Sequence, residues 1–223
     1  MMTPFEYLKE ATAASQQRFL STPILQRALQ GHVDRAEYIA FLGQAYHHVK
    51  HTVPLLMACG ARLPSDKEWL REAMAEYIEE EIGHQRWILD DIRALGGDTA
   101  AVIAAPPMAP TDLMVRYVRD VITYDNPVGF LGMVHVLEGT STAMATHAAQ
   151  AIRETQGLPK GAFRYLESHG SLDLEHVAFF ETLVNRLEAP EDMSWMIQVA
   201  DRVYDLYGQM FNAVEACVGS TQA

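Results

Sequence analysis

The 223-residue chain is poor in several features that mark protein classes, and each scarcity excludes one of them. Its two cysteines, Cys59 and Cys217, cannot form a disulfide framework, which fits a reducing cytoplasm. No apolar run approaches the roughly 18 to 20 residues that span a bilayer. The opening residues, MMTPFEYLKE, contain no apolar signal core. We therefore expect a cytoplasmic protein without a membrane partner.

Positive charge is also scarce. The chain has 17 lysines and arginines against 29 aspartates and glutamates, which gives a net charge of −12. A surface of this sign repels phosphate backbones and anionic lipid headgroups, so nucleic acid is not an expected partner. Part of the negative charge is concentrated in the run from Glu76 to Glu81, which is compatible with a solvated helix face and with a cation site.

Strand signals are nearly absent, whereas helix signals are frequent and separated by proline or glycine. Pro54 should kink a long helical stretch that runs from Asp34 to Gly60, and 98–110 has the composition of a loop. Further helices are expected at 23–31, 65–95, 111–124, 126–157, after Pro159, and from Pro190 to about Val218. With 49% apolar residues, the pattern predicts an all-α bundle of about seven or eight helices, in a single domain over 1–223.

One stretch carries three ligand-type residues. His169, Asp173 and His176 stand at relative positions 0, +4 and +7. On an α-helix these positions fall within about 60° of one another. Two imidazoles and a carboxylate on one stripe are a ready set of ligands for a divalent transition metal.

Two other helical stretches carry similar residues. Glu81 and His84 are three residues apart and share a helix face, although a surface Glu–His pair would have the same spacing. Glu138 interrupts an otherwise apolar helix, where a buried carboxylate must be ion-paired or metal-bound. The small residues after Glu138 either permit close helix packing or leave room for a ligand. His135, one turn earlier, is a candidate ligand, a hydrogen-bond donor to a ligand, or a core residue.

Together these stretches suit two metal ions that share one carboxylate, and Glu138 is the natural bridge because it is alone on its helix. Oxygen-rich shells that contain histidine and no thiolate suit iron or manganese, and zinc is compatible with them. The predicted ligands are Glu81, His84, Glu138, His169, Asp173 and His176.

On these residues the sequence resembles the heme-oxygenase-like di-iron oxidases and oxygenases, which include a fatty-acid decarboxylase that forms terminal alkenes. The family pattern is Glu-x-x-His, a lone Glu, and His-x-x-x-Asp-x-x-His, and all six positions fit it. The resemblance implies a heme-oxygenase-like bundle that holds two Fe(II)/Fe(III) ions, with O2 as co-substrate and Glu138 as the catalytic bridge. It further implies oxidation of a small carboxylic acid, amino acid or amine, with electrons from a donor that the sequence does not identify.

A second group of residues is expected to line a substrate pocket: Tyr46, His47, His51 and His135. The segment YHHVKHT places His47 and His51 at i and i+4, and His48 and His51 at i and i+3, so either pair shares a helix face. A polar helix face or an internal hydrogen-bond network would give the same pattern.

Three alternatives stay open. A metal-free enzyme resembling thiaminases or quinone-cofactor oxidases would share the fold, but the thiaminase type needs a core cysteine and neither cysteine is on the Glu138 helix. Heme binding needs an early axial histidine, and the first histidine is His32. A non-catalytic binding protein would bind no redox metal with useful affinity. The size and the apolar helices are compatible with a homodimer.

Overall fold

The computed structural model describes residues 2–221, except for the side chains of residues 143, 169–175, 220 and 221. Within these residues the chain forms eleven α-helices and no strand. The helices are α1 (Pro4–Leu20), α2 (Pro23–Leu29), α3 (Arg35–Val49), α4 (Thr52–Arg62), α5 (Glu68–Glu81), α6 (His84–Ala94), α7 (Thr99–Ala104), α8 (Ala109–Tyr124), α9 (Phe130–Gln156), α10 (Arg164–Val184) and α11 (Pro190–Thr221). The all-α prediction is confirmed, with more helices than the seven or eight expected.

The extra helices have local causes. Pro54 lacks an N–H, and its ring would clash with the carbonyl of Lys50, so the predicted kink becomes a break between α3 and α4. The helix expected over 65–95 is broken at Gly83, whose φ of +101° is a left-handed conformation that favours glycine. The segment 98–110, expected to be a loop, contains α7, which Asp98 caps through the N–H groups of Ala100 and Ala101.

The central element is α9, which packs against α10 and α11. Its first two turns are buried almost all round, as the apolar sequence predicted. A Cβ at Gly132 would lie 2.3 Å from the carbonyl oxygen of Met196, so glycine allows the backbones of α9 and α11 to approach closely here. This contact fixes the position of the helix that carries Glu138.

The other helices that bear predicted ligands are held by different neighbours. α5 packs on α4, while α6 packs on α3 and α10. α10 in turn packs along α9. No helix in the described part of the chain is long and apolar enough to cross a membrane.

Candidate functional site

A cavity of about 160 Å³ lies among α2, α3, α4, α5, α9, α10 and α11. Most of its lining is apolar, and the charged side chains that reach it are Glu37, Glu81 and Glu138. Glu37 is already paired with Arg27, whose guanidinium nitrogen lies 2.5 Å from a Glu37 carboxylate oxygen. Among the described residues, no lysine or arginine lines the cavity. Glu81 and Glu138 are the two other carboxylates that reach the cavity.

Glu138 lies in the first half of α9, at a point where one face of the helix borders the cavity. A Cβ at Gly139 would meet no heavy atom within 4 Å, and the next two residues, Thr140 and Ser141, line the cavity. The hydroxyl of Thr142 donates to the carbonyl oxygen of Glu138 at 2.7 Å. The small residues after Glu138 thus leave room beside its carboxylate. Close helix packing instead depends on Gly132, which lies earlier on the same helix.

Glu81 and His84 lie on either side of the helix break at Gly83. Glu81 is the last residue of α5 and His84 is the first of α6, so the prediction that one continuous helix carries both was wrong. The pair nevertheless meets, since His84 Nδ1 lies 2.9 Å from Glu81 Oε2. The ring of His84 stacks on Trp87 with centroids 4.0 Å apart, which holds the imidazole beside the cavity.

His176 is buried on α10, and its Nε2 atom lies 2.9 Å from Glu80 Oε2. Sequence reasoning noted Glu80 within the acidic run but gave it no role, because spacing does not show which glutamate of the run turns towards another helix. The other two predicted ligands on this helix, His169 and Asp173, lie outside the described side chains.

Tyr77 lies between these groups. Its ring centroid is 6.2 Å from that of His176, and its side chain lines the cavity together with Glu81 and Glu138. Burial raises the pKa of the Tyr77 phenol well above its usual range, and the charges of Glu138, Glu80 and Glu81 raise it further. The hydroxyl is buried and has no hydrogen-bond partner among the described residues. It is therefore a neutral donor beside the carboxylates.

Four of the six predicted ligands thus lie around the Tyr77 end of the cavity: Glu81, His84, Glu138 and His176. Among the side chains that the structure describes, no three from His, Cys, Asp and Glu already surround a common point as metal ligands do. The ligand roles of the six residues stay a prediction.

The residues expected to line a substrate pocket lie elsewhere. His47 Nδ1 is 3.2 Å from Lys50 Nζ, and His51 Nδ1 is 3.4 Å from an Arg119 nitrogen. Burial lowers the pKa of both imidazoles, and the neighbouring cations lower it further. Tyr46 lies beneath the same Lys50, 5.2 Å from ring centroid to Nζ. None of these three residues lines the cavity, and their role in a substrate pocket stays a prediction.

The imidazole that does reach the cavity is His48, which the spacing paired with His51 but which was not among the four expected pocket residues. It is 1% exposed and packs edge-on against Tyr207, with centroids 5.9 Å apart. One residue along a helix is a turn of about 100°, so His48 points inward where His47 points to Lys50. Only the packing of α3 decides which of the two neighbours faces the cavity.

His135, the fourth expected pocket residue, is a core residue. Its Nε2 atom lies 3.2 Å from the Thr12 hydroxyl, and its ring packs among Phe5, Phe180 and Tyr204. Burial lowers the pKa of His135 to about 4, with a smaller effect from Lys9, so the ring is neutral at pH 7. It does not line the cavity.

The groups that the alternative functions need are poorly placed. The Cys59 thiol is buried, donates to the carbonyl oxygen of Pro127 at 3.3 Å and does not line the cavity. Burial raises its pKa to about 12, which suppresses the nucleophilic thiolate. Cys217 is exposed on α11. His32 is exposed between α2 and α3, and neither α1 nor α2 contains a histidine for a heme.

Comparison with known proteins identifies the relatives of this fold. A family model described as iron-containing redox enzyme matches residues 39–208, which include all six predicted ligands. The chain belongs to this family. The matched span begins within α3 and ends within α11, so it contains the whole cavity end around Tyr77.

Solved structures show the same fold at low sequence identity. A domain of unknown function with a heme oxygenase-like fold from Shewanella denitrificans is 20% identical, covers 98% of this chain and 94% of that chain, and has a TM-score of 0.86. A heme oxygenase from the cyanobacterium Synechocystis, in complex with heme, is 13% identical, covers 98% of this chain and 97% of that chain, and has a TM-score of 0.75. A TenA homologue from Pseudomonas syringae is 12% identical, covers 96% of this chain and 92% of that chain, and has a TM-score of 0.76. The heme-oxygenase-like fold predicted from the sequence is confirmed. No curated protein matches the chain in sequence.

Proposed function

We propose that this protein is a non-heme di-iron oxidase or oxygenase that uses O2 to oxidise a small organic substrate. One observation carries the proposal: Glu81 and Glu138, from two different helices, face one apolar cavity whose described lining contains no lysine or arginine. The chain's membership of a family of iron-containing redox enzymes supports the choice of iron as the metal.

The donor set at this end of the cavity fits iron. Carboxylate oxygens and imidazole nitrogens without thiolates are ligands that iron accepts. Glu81 and His84 would hold one ion, the His169, Asp173 and His176 set would hold the other, and Glu138 would serve both. When bound, such a pair of ions would supply the electrons that activate O2.

The chain's own residues would prepare the substrate. The apolar walls around the Tyr77 end would bind an apolar substrate body and keep water away from the reacting carbon. Tyr77 would donate a hydrogen bond to a polar group placed beside Glu138, because its hydroxyl is buried there and stays protonated. A carboxylic acid, amino acid or amine with an apolar body fits this division between apolar walls and a polar end.

An anaerobic titration of metal-stripped protein with Fe(II) tests the proposal. We expect about two irons per chain, followed by a change in visible absorption on mixing with O2. Glu138→Gln should remove at least one iron and the absorption change, because it replaces a charged ligand by a neutral one of the same shape. Glu79→Gln is the matched control, since Glu79 is an exposed member of the acidic run on α5.

Two results would contradict the proposal. Protein that takes up no iron would direct attention to metal-free chemistry in the same cavity. Iron uptake that is equal in Glu138→Gln and the parent protein would place the metal elsewhere.

A further inference from the structure

The N-terminus of α10 is capped from another helix. Asp91, on α6, accepts hydrogen bonds from the backbone N–H of Arg164 at 3.0 Å and from that of Tyr165 at 2.8 Å, one on each carboxylate oxygen. Its side chain is 0% exposed. These two N–H groups open the helix that carries His176, so one buried carboxylate joins α6 to α10.

This cap differs from the other carboxylate caps described in the molecule. Asp34 caps α3 and Asp98 caps α7, each from the residue that directly precedes its own helix. The residue in that position before α10 is Phe163, whose side chain cannot accept a hydrogen bond. The cap on α10 must therefore come from elsewhere, and its formation requires α6 and α10 to keep one relative position.

The cap is also connected to the candidate site through a series of contacts. His84 and Asp91 are seven residues apart on α6, which places them on one face and about 10 Å apart along the axis. Between them, Trp87 stacks on His84 at 4.0 Å and receives the Arg164 guanidinium at 4.8 Å from its ring centroid. Arg164 is itself one of the two residues that Asp91 caps.

We propose that Asp91 is a positioning residue that fixes α10 against α6 and so sets the two halves of the metal centre at the correct separation. One half is Glu81 with His84, at the α5–α6 break, and the other half is on α10. This role rests on the proposed function, because it concerns the binding of the second iron.

The electrostatic environment gives the role a pH dependence. Burial raises the pKa of Asp91 to about 6, the two backbone N–H groups oppose this rise, Asp90 on the same helix adds to it, and Arg164 on α10 opposes it. Tyr38 on α3 also interacts with Asp91, and the pKa of its phenol is raised well above the usual range, chiefly by burial, so it is neutral. Because the pKa of Asp91 is higher in the folded than in the unfolded chain, its ionisation favours opening as pH rises from about 4 to about 6.

The experiment compares Asp91→Ala and Asp91→Asn with Asp98→Ala, which removes a two-bond cap from α7, away from the cavity. Amide hydrogen exchange of metal-free protein measures the anchoring of α10. We expect at least 10-fold faster exchange in the first turns of α10 in Asp91→Ala, a smaller increase in Asp91→Asn, which keeps one acceptor oxygen, and no change there in Asp98→Ala. The protection of these α10 amides against exchange is compared between the parent protein and Asp91→Asn. The ratio of the two protection factors should fall as pH rises from 4 to 6 and then stay constant.

Anaerobic Fe(II) titration of the same variants measures the positioning role. We expect the affinity for the second iron to be at least 10-fold lower in Asp91→Ala than in the parent protein. The loss should be smaller in Asp91→Asn, and the affinity should be unchanged in Asp98→Ala. Unchanged exchange in α10 would show that Asp91 does not anchor it and would overturn the proposal. Faster exchange with unchanged iron binding would overturn the positioning role alone, whereas a parent protein that binds no iron would overturn the proposed function as well.

Discussion

Two regions of this molecule present pairs of histidines in opposite electrostatic settings. Around the Tyr77 end of the cavity, each described imidazole lies 2.9 Å from a carboxylate oxygen, His84 beside Glu81 and His176 beside Glu80. On α3 and just after it, His47 and His51 each lie beside a cation, Lys50 at 3.2 Å and Arg119 at 3.4 Å.

The difference separates an environment whose charges favour a metal ion from one whose charges disfavour it. A carboxylate beside an imidazole adds negative charge and a second ligand type, both of which favour a divalent cation. A neighbouring lysine or arginine adds positive charge, which disfavours a metal ion and a protonated imidazole alike. In each region one partner is three residues away along the chain and the other lies on a different helix, so the sign of the partner's charge is what distinguishes the two regions.

The strongest test of this comparison removes one imidazole from each region. We expect His84→Ala and His176→Ala each to lose one of the two irons, since a direct ligand should matter more than its hydrogen-bonded neighbours, whose loss costs about 10- to 100-fold in affinity. His47→Ala should keep both irons with unchanged affinity. Anaerobic Fe(II) titration of the three variants checks this, and a similar loss in His47→Ala would remove the distinction between the regions.

A histidine without a charged partner extends the comparison. The pKa of His135 is about 4 in the folded protein and near 6.5 when unfolded, so the unfolded chain binds more protons between these values. The free energy of unfolding should therefore fall as pH drops from about 6.5 to about 4, by on the order of 3 kcal/mol.

Urea denaturation across this pH range measures the effect. In His135→Phe, which preserves an aromatic ring among Phe5, Phe180 and Tyr204, this part of the pH dependence should disappear. The same dependence in the variant would assign it to other groups.

Loss of the hydroxyl should change the free energy of unfolding differently at two buried tyrosines that line the cavity. Tyr38 donates to the carbonyl oxygen of Ala162 at 3.1 Å, so Tyr38→Phe should lower the free energy of unfolding by about 1 kcal/mol. The Tyr77 hydroxyl has no partner among the described residues, so Tyr77→Phe should raise it by about 1 kcal/mol or leave it unchanged.

Thermal unfolding of metal-free protein resolves this pair, because 1 kcal/mol corresponds to a shift of about 2–4 °C in Tm for a chain of this length. A lower Tm in Tyr77→Phe would show that its hydroxyl is held within the folded protein, and would contradict its proposed role as a donor to substrate.

The smallest effect on iron binding is expected at Glu80, which is partly exposed. Glu80→Gln keeps a hydrogen-bond acceptor for His176 but removes the charge. It should lower the iron affinity by about 10-fold, the smallest loss typical of residues that hydrogen-bond to a metal ligand. Glu79→Gln, on the same acidic run, should have no effect. Equal iron affinities in the two variants would make Glu80 an ordinary surface residue.

Much of the architecture could be predicted because it depends on neighbours in sequence. The helix that follows Asn126 and ends before Gly157 was expected from its prolines, glycines and apolar pattern, and the structure has it as α9. The ends of α8 and α11 also lie near their predicted positions. The break at Gly83 was missed, because a glycine inside a helical pattern is also compatible with an unbroken helix.

The sequence by itself determined that this chain is all-helical, that its helices carry the ligand types of an iron centre, and that Glu138 interrupts an apolar helix, since these depend on residue type and spacing. Only the tertiary structure decided that His48 and not His47 faces the cavity, that Glu80 meets His176, and that Asp91 caps α10. Each of these contacts joins two helices, and the way in which helices cross is set by the packing of the whole core.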